Sequence, residues 1–219
     1  VEQEFLDVQQ QQWQRTFQEI PEMFGRKASD PAIKAAELFR KEGRTRILEL
    51  GCGQGRDTLY FARNGFSVHV LDYSPQGLLD IDKKAQESGL SHRIVTRAHD
   101  VRKALPFADE AFDACYSHML YCMALKTSEL EFLSNEIRRV LTPGGLNLYT
   151  VRNTADSYYR TGIHRGEDLW EIDGGFIVHF FSRQKVEQLA RGYQIVAIET
   201  FEEGELQKRL YAVTLRKPF

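Results

Sequence analysis

The sequence predicts an α/β fold: a doubly wound, mostly parallel sheet of seven strands, closed by a C-terminal antiparallel hairpin. Three observations carry that prediction. Short apolar runs alternate with helical patterns through the first two thirds of the chain, and helices between such runs must carry the chain back across a parallel sheet. The stretch "RILELGCGQGRDTLYFARNGFSVHVLD", Arg46 to Asp72, joins a strand to a helix through glycines at alternate positions and ends a second strand on an acid. The last two apolar runs are separated by a turn-like segment instead of a helix, which reads as a hairpin.

Each element follows from local chemistry. Leu6, Trp13, Phe17 and Ile20 recur at helical spacing and mark an amphipathic N-terminal helix interrupted near Pro21. A second helix is announced by Asp30 as N-cap and Pro31 as its first residue, ending before Gly43. "RILEL" is the first strand, and the helix after the glycines runs to about Arg63. "SVHVLD" is the second strand, followed by a helix capped by Ser74-Pro75 and ended by Gly89. "RIVTRAH" and "FDACYS" are the third and fourth strands. Ser128 and Glu131 have the spacing of a capping box for a helix that places Leu130, Leu133, Ile137 and Leu141 on one face. "TPGG" turns sharply into "LNLYTV", the fifth strand. After a helix capped by Ser182, "YQIVAIETF" and "RLYAVTLR" form the hairpin around "EEGELQK". Residues 152–181 remain, long for a connection and rich in aromatic, His and charged side chains. Such segments at strand ends are usually functional. One domain spans 1–219, divided into an N-terminal helical cap (1–42), a cofactor-binding core (43–151), a substrate-covering insertion (152–181) and a closing helix and hairpin (182–219).

Composition excludes several classes. With 42% hydrophobic and 27% charged residues, the 219-residue chain has the makeup of a globule with a full core, not of a disordered or fibrous protein. A net charge of −2 gives no basic field for nucleic acid or acidic membrane. The three cysteines Cys52, Cys115 and Cys122 have neither CxxC nor zinc spacing, so no disulfide framework and no metal is expected, and a reducing cytoplasm fits best. The start is polar and acidic, unlike a signal peptide, and no apolar run approaches a membrane span.

The glycine stretch points to a ligand. In a parallel sheet, ligands collect beyond the carboxyl ends of the strands, where strand order reverses. Gly51, Gly53 and Gly55 let the backbone turn tightly and let a ligand approach without meeting a Cβ. The N–H groups at the following helix start favour an anionic group. Asp72, ending the neighbouring strand, can accept from both hydroxyls of a ribose. The ligand is therefore adenosine-like with a small anionic group at its far end. A nicotinamide dinucleotide prefers G-x-G-x-x-G, whereas this loop reads G-x-G-x-G. Glu49 and Asp57 beside the loop disfavour a pyrophosphate and suit an ammonium and a sulfonium. S-adenosyl-L-methionine carries both, plus one carboxylate.

"ILELGCGQGRD", "VLDYS", "AHDV", "LPFADEAFDACYS" and "RVLTPGGLNLYTV" follow one another as in the class I S-adenosylmethionine-dependent methyltransferases, which this chain resembles over roughly residues 30–155. The first part also resembles, more slightly, the tellurite-resistance branch of that family. The resemblance implies a Rossmann-like fold and transfer of a methyl group by in-line displacement. Glu49 would lie near the methionine end, Gly51, Cys52, Gly53 and Gln54 would line the cofactor, and Asp72 would hold the ribose. Tyr73 would pack on the adenine, Asp100 would accept from its amino group and the Val101 amide would face a ring nitrogen. Ser117 and His118 would border the methionine moiety and the methyl group. Trp13, Phe17 and Phe24 are candidates to close over the cofactor.

His118, Tyr158, Tyr159, His164 and His179 are the candidates to orient or deprotonate an acceptor, with His118, Tyr158 and His164 in first place. "YSHMLYCM" stands where nucleic-acid enzymes of this fold often carry an Asn/Asp-Pro-Pro-aromatic motif, so the expected acceptor is a small molecule and not nucleic acid. The alternatives are a protein side chain, or a cofactor-binding partner protein without turnover. A monomer or homodimer is expected.

Overall fold

The computed structural model describes residues 3–204 and 208–219. Seven strands form one sheet in the order β3-β2-β1-β4-β5-β10-β9. The strands are β1 (Arg46–Leu50), β2 (Ser67–Asp72), β3 (Ile94–Ala98), β4 (Phe112–His118), β5 (Leu141–Arg152), β9 (Gln194–Glu203) and β10 (Lys208–Arg216). The first five pair in parallel, whereas β10 runs antiparallel to both β5 and β9. This is the expected doubly wound sheet with its closing hairpin. The middle of the hairpin turn, residues 205–207 of "EEGELQK", lies outside the described residues.

Six helices accompany the sheet: α1 (Gln3–Glu19), α2 (Asp30–Lys41), α3 (Arg56–Arg63), α4 (Pro75–Glu87), α5 (Thr127–Val140) and α6 (Arg183–Leu189). Alternation along the strands divides the core in two. Leu48, Leu50, Cys115 and Tyr149 pack with α5 and α6, while Ile47, Val70, Ala114 and Tyr116 pack with α2, α3 and α4. Strand order reverses between β1 and β4, and a cavity opens there.

Three boundaries depart from the sequence expectation, each through a contact from distant sequence. Ser29, not Asp30, caps α2: its hydroxyl accepts from the Ala32 N–H at 3.1 Å and donates to Asp57 of α3 at 2.8 Å. At the start of α5, Glu129 rather than Glu131 reaches back, accepting from the Lys126 N–H at 2.7 Å. Glu167 of the insertion accepts from the Thr127 N–H at 2.9 Å, so the start of that helix is fixed from outside. Leu141 opens β5 instead of ending α5, and "TPGG" is a bulge: the pairing jumps from Phe112↔Leu141 to Ala114↔Leu146. Backbone bonds between Gly144, Gly145 and Lys217 hold the bulge to the chain end.

Residues 152–181 contain a second, antiparallel sheet that the sequence did not announce: β6 (Ile163–His164), β7 (Leu169–Glu171) and β8 (Ile177–His179). A bridge between Asn153 and Phe181 closes its base. Leu169 and Ile177 pack with Leu6 of α1 and Ala124. The insertion and α1 thus meet above the carboxyl ends of β1 and β4. Among the described residues, no helix is long and apolar enough to cross a membrane.

Candidate functional site

The cavity at the switch point has a volume of about 460 Å³. Glu49, Gly51, Cys52, Gly53, Gln54, Asp72, Tyr73, Asp100, Val101 and His118 all line it. Its inner end is a nest of buried acids. Asp72 accepts from the Gly53 N–H at 3.0 Å through Oδ2 and from the Ser74 N–H at 2.8 Å through Oδ1. Oδ2 also accepts from the Cys52 thiol at 3.7 Å, so the spare acceptor capacity toward the cavity is chiefly that of Oδ1. Burial raises the Asp72 pKa, and those two N–H donors oppose the rise. Glu49 accepts from the Thr58 hydroxyl at 2.6 Å. Its pKa is pushed up to about 8, first by burial and then by the charge of Asp57, with the Thr58 bond pulling the other way and Asp72 adding to the rise. Burial also pushes the Cys52 thiol well above its ordinary range, which keeps it in the thiol form.

The glycines differ in what they permit. Gly53 has φ 54° and lies under the rings of Phe17 and Phe24, 3.5 and 3.6 Å from where a Cβ would sit. Gly55 has φ 82°, and a Cβ there would lie 2.3 Å from Cγ1 of Ile81 in α4. Its role is the contact between loop and helix, not the approach of a ligand.

The other end of the cavity is roofed by α1 and the insertion. Gln10 donates to the Tyr73 carbonyl at 2.7 Å, and Gln14 accepts from the Ser74 hydroxyl at 2.7 Å. Across the cavity, Gln9 donates to the Gly175 carbonyl and accepts from the Ile177 N–H, both at 3.0 Å. The glutamine run is thus a set of two-sided straps. Trp13 packs on Phe176 of the insertion, ring centroids 4.6 Å apart, and on Phe17 at 5.4 Å. Gln54 serves the roof as well, accepting from the Met23 N–H at 2.8 Å and donating to the Ile20 carbonyl at 3.2 Å.

Asp100 lines the cavity but is held by Arg102, whose Nε and Nη2 lie 3.0 and 2.8 Å from its two oxygens. Burial works to raise the Asp100 pKa, and the Arg102 hydrogen bonds more than offset it and lower it. Arg102 also reaches Asp7 on α1 at 2.6 Å, tying the roof to this rim.

Not every expected residue comes to the cavity. Ser117 is completely buried and does not line it, and its hydroxyl has no protein partner among the described residues. Alternation along β4 turns it inward while His118 faces the cavity. Tyr158 lies outside the cavity walls, its ring 5.0 Å from the Arg152 guanidinium carbon. His164 is exposed on β6 and stacks on Trp170 at 4.6 Å. Tyr159 donates to Asp168 at 2.9 Å, and His179 is sealed between the Leu125 carbonyl and Lys185. These four support the insertion.

Two cavity residues had no signal in the sequence reading. Glu203, ending β9, stands 3.3 Å from His118 Nε2, and Arg152, ending β5, forms part of the wall. Both reach the cavity because β5, β10 and β9 are neighbours in the sheet. Thr150 holds the other side of His118, its hydroxyl 2.8 Å from Nδ1.

Residues 47–145, which carry the glycine loop, Asp72, Asp100 and His118, match the family model of a methyltransferase domain. Residues 47–145 thus carry a methyltransferase domain, and the fold is that of class I S-adenosylmethionine-dependent methyltransferases. The malonyl-[acyl-carrier protein] O-methyltransferase of Erwinia billingiae is 31% identical over 127 residues, 57% of this chain and 45% of that protein. The probable S-adenosyl-L-methionine-dependent methyltransferase TehB of Haemophilus influenzae is 25% identical over 111 residues, 51% of this chain and 37% of that protein. The chain spans less than half the length of these curated relatives. Its fold matches the 1,6-didemethyltoxoflavin-N1-methyltransferase of Burkholderia thailandensis, solved with 1,6-didemethyltoxoflavin and S-adenosylhomocysteine, with a TM-score of 0.76. That likeness covers 100% of this chain and 91% of the other at 17% identity. The family cofactor is S-adenosylmethionine, and the site's chemistry fits it: buried carboxylates with spare acceptor capacity and an acidic inner end that favours a cation over a pyrophosphate.

Proposed function

We propose that this methyltransferase transfers a methyl group from S-adenosylmethionine to a small-molecule acceptor. One observation carries the reading: a single cavity runs from the carboxylates of Glu49 and Asp72 to His118 and Glu203, under a roof made by α1 and the insertion. A macromolecular acceptor would have to displace that roof. The relatives add support, since a small-molecule methyltransferase shares the fold over the whole chain.

Asp72 would hold the ribose hydroxyls, Tyr73, Asp100 and Val101 would flank the adenine, and Glu49 would face the ammonium. The bound cofactor supplies a methyl group already activated by a positively charged sulfur. The chain's own task is to align an acceptor and exclude water. Trp13, Phe17, Phe24 and Phe176 exclude water from above.

His118 acts through hydrogen bonds. The Thr150 hydroxyl accepts from the Met119 N–H at 3.0 Å, which leaves its own hydrogen for His118 Nδ1. In that arrangement His118 Nε2 would carry the proton and present it to Glu203 Oε2, 3.3 Å away. Burial works to raise the Glu203 pKa, and the His118 hydrogen bond together with nearby positive charge, including that of Arg56 and Lys208, outweighs it and lowers it. Glu203 is accordingly the ionised group facing an acceptor at neutral pH, and His118 orients it. Tyr158 and His164 have no part in this reading.

Fold alone does not fix a reaction, so the test begins with binding. Calorimetry with S-adenosylmethionine and S-adenosylhomocysteine should show both bound, and NADH should not bind. Methyl-labelled cofactor offered with separate metabolite and protein pools should label a low-mass compound. Label confined to protein would favour the side-chain alternative; binding without turnover would favour the partner-protein alternative. Binding of neither compound would end the proposal.

A further inference from the structure

Arg152 is buried, its residue only 4% exposed, yet it lines the cavity. Its Nε donates to Asp156 Oδ2 at 3.0 Å and its Nη2 to Asp156 Oδ1 at 2.6 Å. The guanidinium carbon also lies 5.0 and 5.2 Å from the ring centroids of Tyr158 and Phe180. Asp156 in turn accepts the backbone N–H groups of Tyr158 and Arg209, both at 3.0 Å. Its charge is shared among four donors, so it fixes the guanidinium without fully neutralising it. The edge bearing Nη1 has no protein partner among the described residues. Nη1 is not among the sealed polar atoms, so this edge stays accessible, and a carboxylate is the best geometric match for an open guanidinium edge.

We propose that Arg152 is the anchor for the acceptor, and that the acceptor is a compact apolar molecule carrying a carboxylate. This rests on the methyl-transfer reading of the cavity and adds the substrate class to it. Thr150 and Arg152 are two residues apart on β5, so they share a face and stand about 7 Å apart. Thr150 is the residue that holds His118. The anchor and the His118–Glu203 pair therefore share one cavity. Met123, Leu125, Ile172 and Val178 supply apolar wall. Lys208, a further cation of the wall, adds to the positive field. A carboxylate at Arg152 and a nucleophile at Glu203 satisfy both ends of that chamber; an ammonium at Arg152 would be repelled.

The experiment uses the intact chain saturated with S-adenosylhomocysteine and three probes that share one body: 4-hydroxybenzoate, 4-hydroxybenzyl alcohol and 4-hydroxybenzylamine. Calorimetry should show the benzoate bound at least about tenfold more tightly than the alcohol, with the amine weakest. In Arg152→Met/Asp156→Asn, which removes the charge together with its buried counter-ion, that preference should vanish while S-adenosylhomocysteine affinity is kept. Arg152→Lys, a fallback should the double variant not fold, should keep the charge preference but bind the benzoate more weakly. Equal binding of the three probes, a preference for the amine, or no binding of any probe by the wild-type complex would overturn the inference and leave the proposed function standing. A preference that survives in a double variant with intact S-adenosylhomocysteine affinity would overturn it as well. Absence of S-adenosylhomocysteine binding to the wild type would instead overturn the proposed function, and the anchor with it.

Discussion

Binding of S-adenosylhomocysteine should release close to one proton at pH 6.5, and the release should vanish in Glu49→Gln. Glu49 is 3% exposed, with Asp57 and Asp72 as acidic neighbours and a single hydroxyl donor in Thr58. With its pKa pushed up to about 8, it is mostly protonated in the free protein at pH 6.5. An ammonium placed against it favours the carboxylate. If the bound pKa falls to the ordinary carboxylate range, about one proton leaves, and the association constant rises about tenfold per pH unit between pH 5.5 and 7. The rise should flatten toward pH 8. Calorimetry at pH 6.5 in two buffers of different ionisation enthalpy counts the protons directly. No proton released by the wild type, or equal release by Glu49→Gln, would refute the placement of the ammonium. The sign for stability follows from the same group. Because its folded pKa is raised, the ligand-free protein loses Glu49's contribution as pH climbs from about 4.5 toward 8. The gain in melting temperature on adding S-adenosylhomocysteine should therefore be larger at pH 8 than at pH 6.

Three further outcomes are expected. Asp72→Ala should weaken S-adenosylhomocysteine binding by about 1–3 kcal/mol through lost ribose hydrogen bonds; unchanged affinity by calorimetry would mean the nucleoside lies elsewhere. Gly55→Ala should cost about 1–3 kcal/mol of stability, because φ 82° and the 2.3 Å approach to Ile81 leave no room for a Cβ. A denaturant midpoint equal to that of the wild type would show that the loop–helix contact yields freely. Gln9→Leu removes both bonds to Gly175 and Ile177, so amide exchange at residues 174–177 should accelerate while the central strands stay protected. Unchanged exchange there would remove the strap from the account of the roof.

Much of the inner end of the cavity is legible in the sequence because it is built from chain-local pieces. Strand, glycine turn and helix follow within Arg46 to Arg63, and Asp72 ends the adjacent parallel strand, so their meeting needs only the β1–β2 pairing. The acceptor end is assembled differently. Arg152, Glu203 and Lys208 come from three strand ends brought together by antiparallel pairing, and nothing in their own neighbourhoods marks them. His164 and Tyr158 have the right chemistry in the right segment, yet β6 and the Asp156 turn carry them away from the cavity.

By itself, the sequence determined the order of strands and helices around the main sheet, the position of the glycine turn and the acids beside it, because periodicity, capping and turn chemistry act over a few residues. Only the tertiary structure decided which polar groups face one another. Asp57 selects Ser29 as a cap, Glu167 sets the start of α5, and Arg102 claims Asp100. These choices depend on burial and on partners distant in the chain, and a buried polar group takes whichever donor or acceptor the packed fold delivers to it.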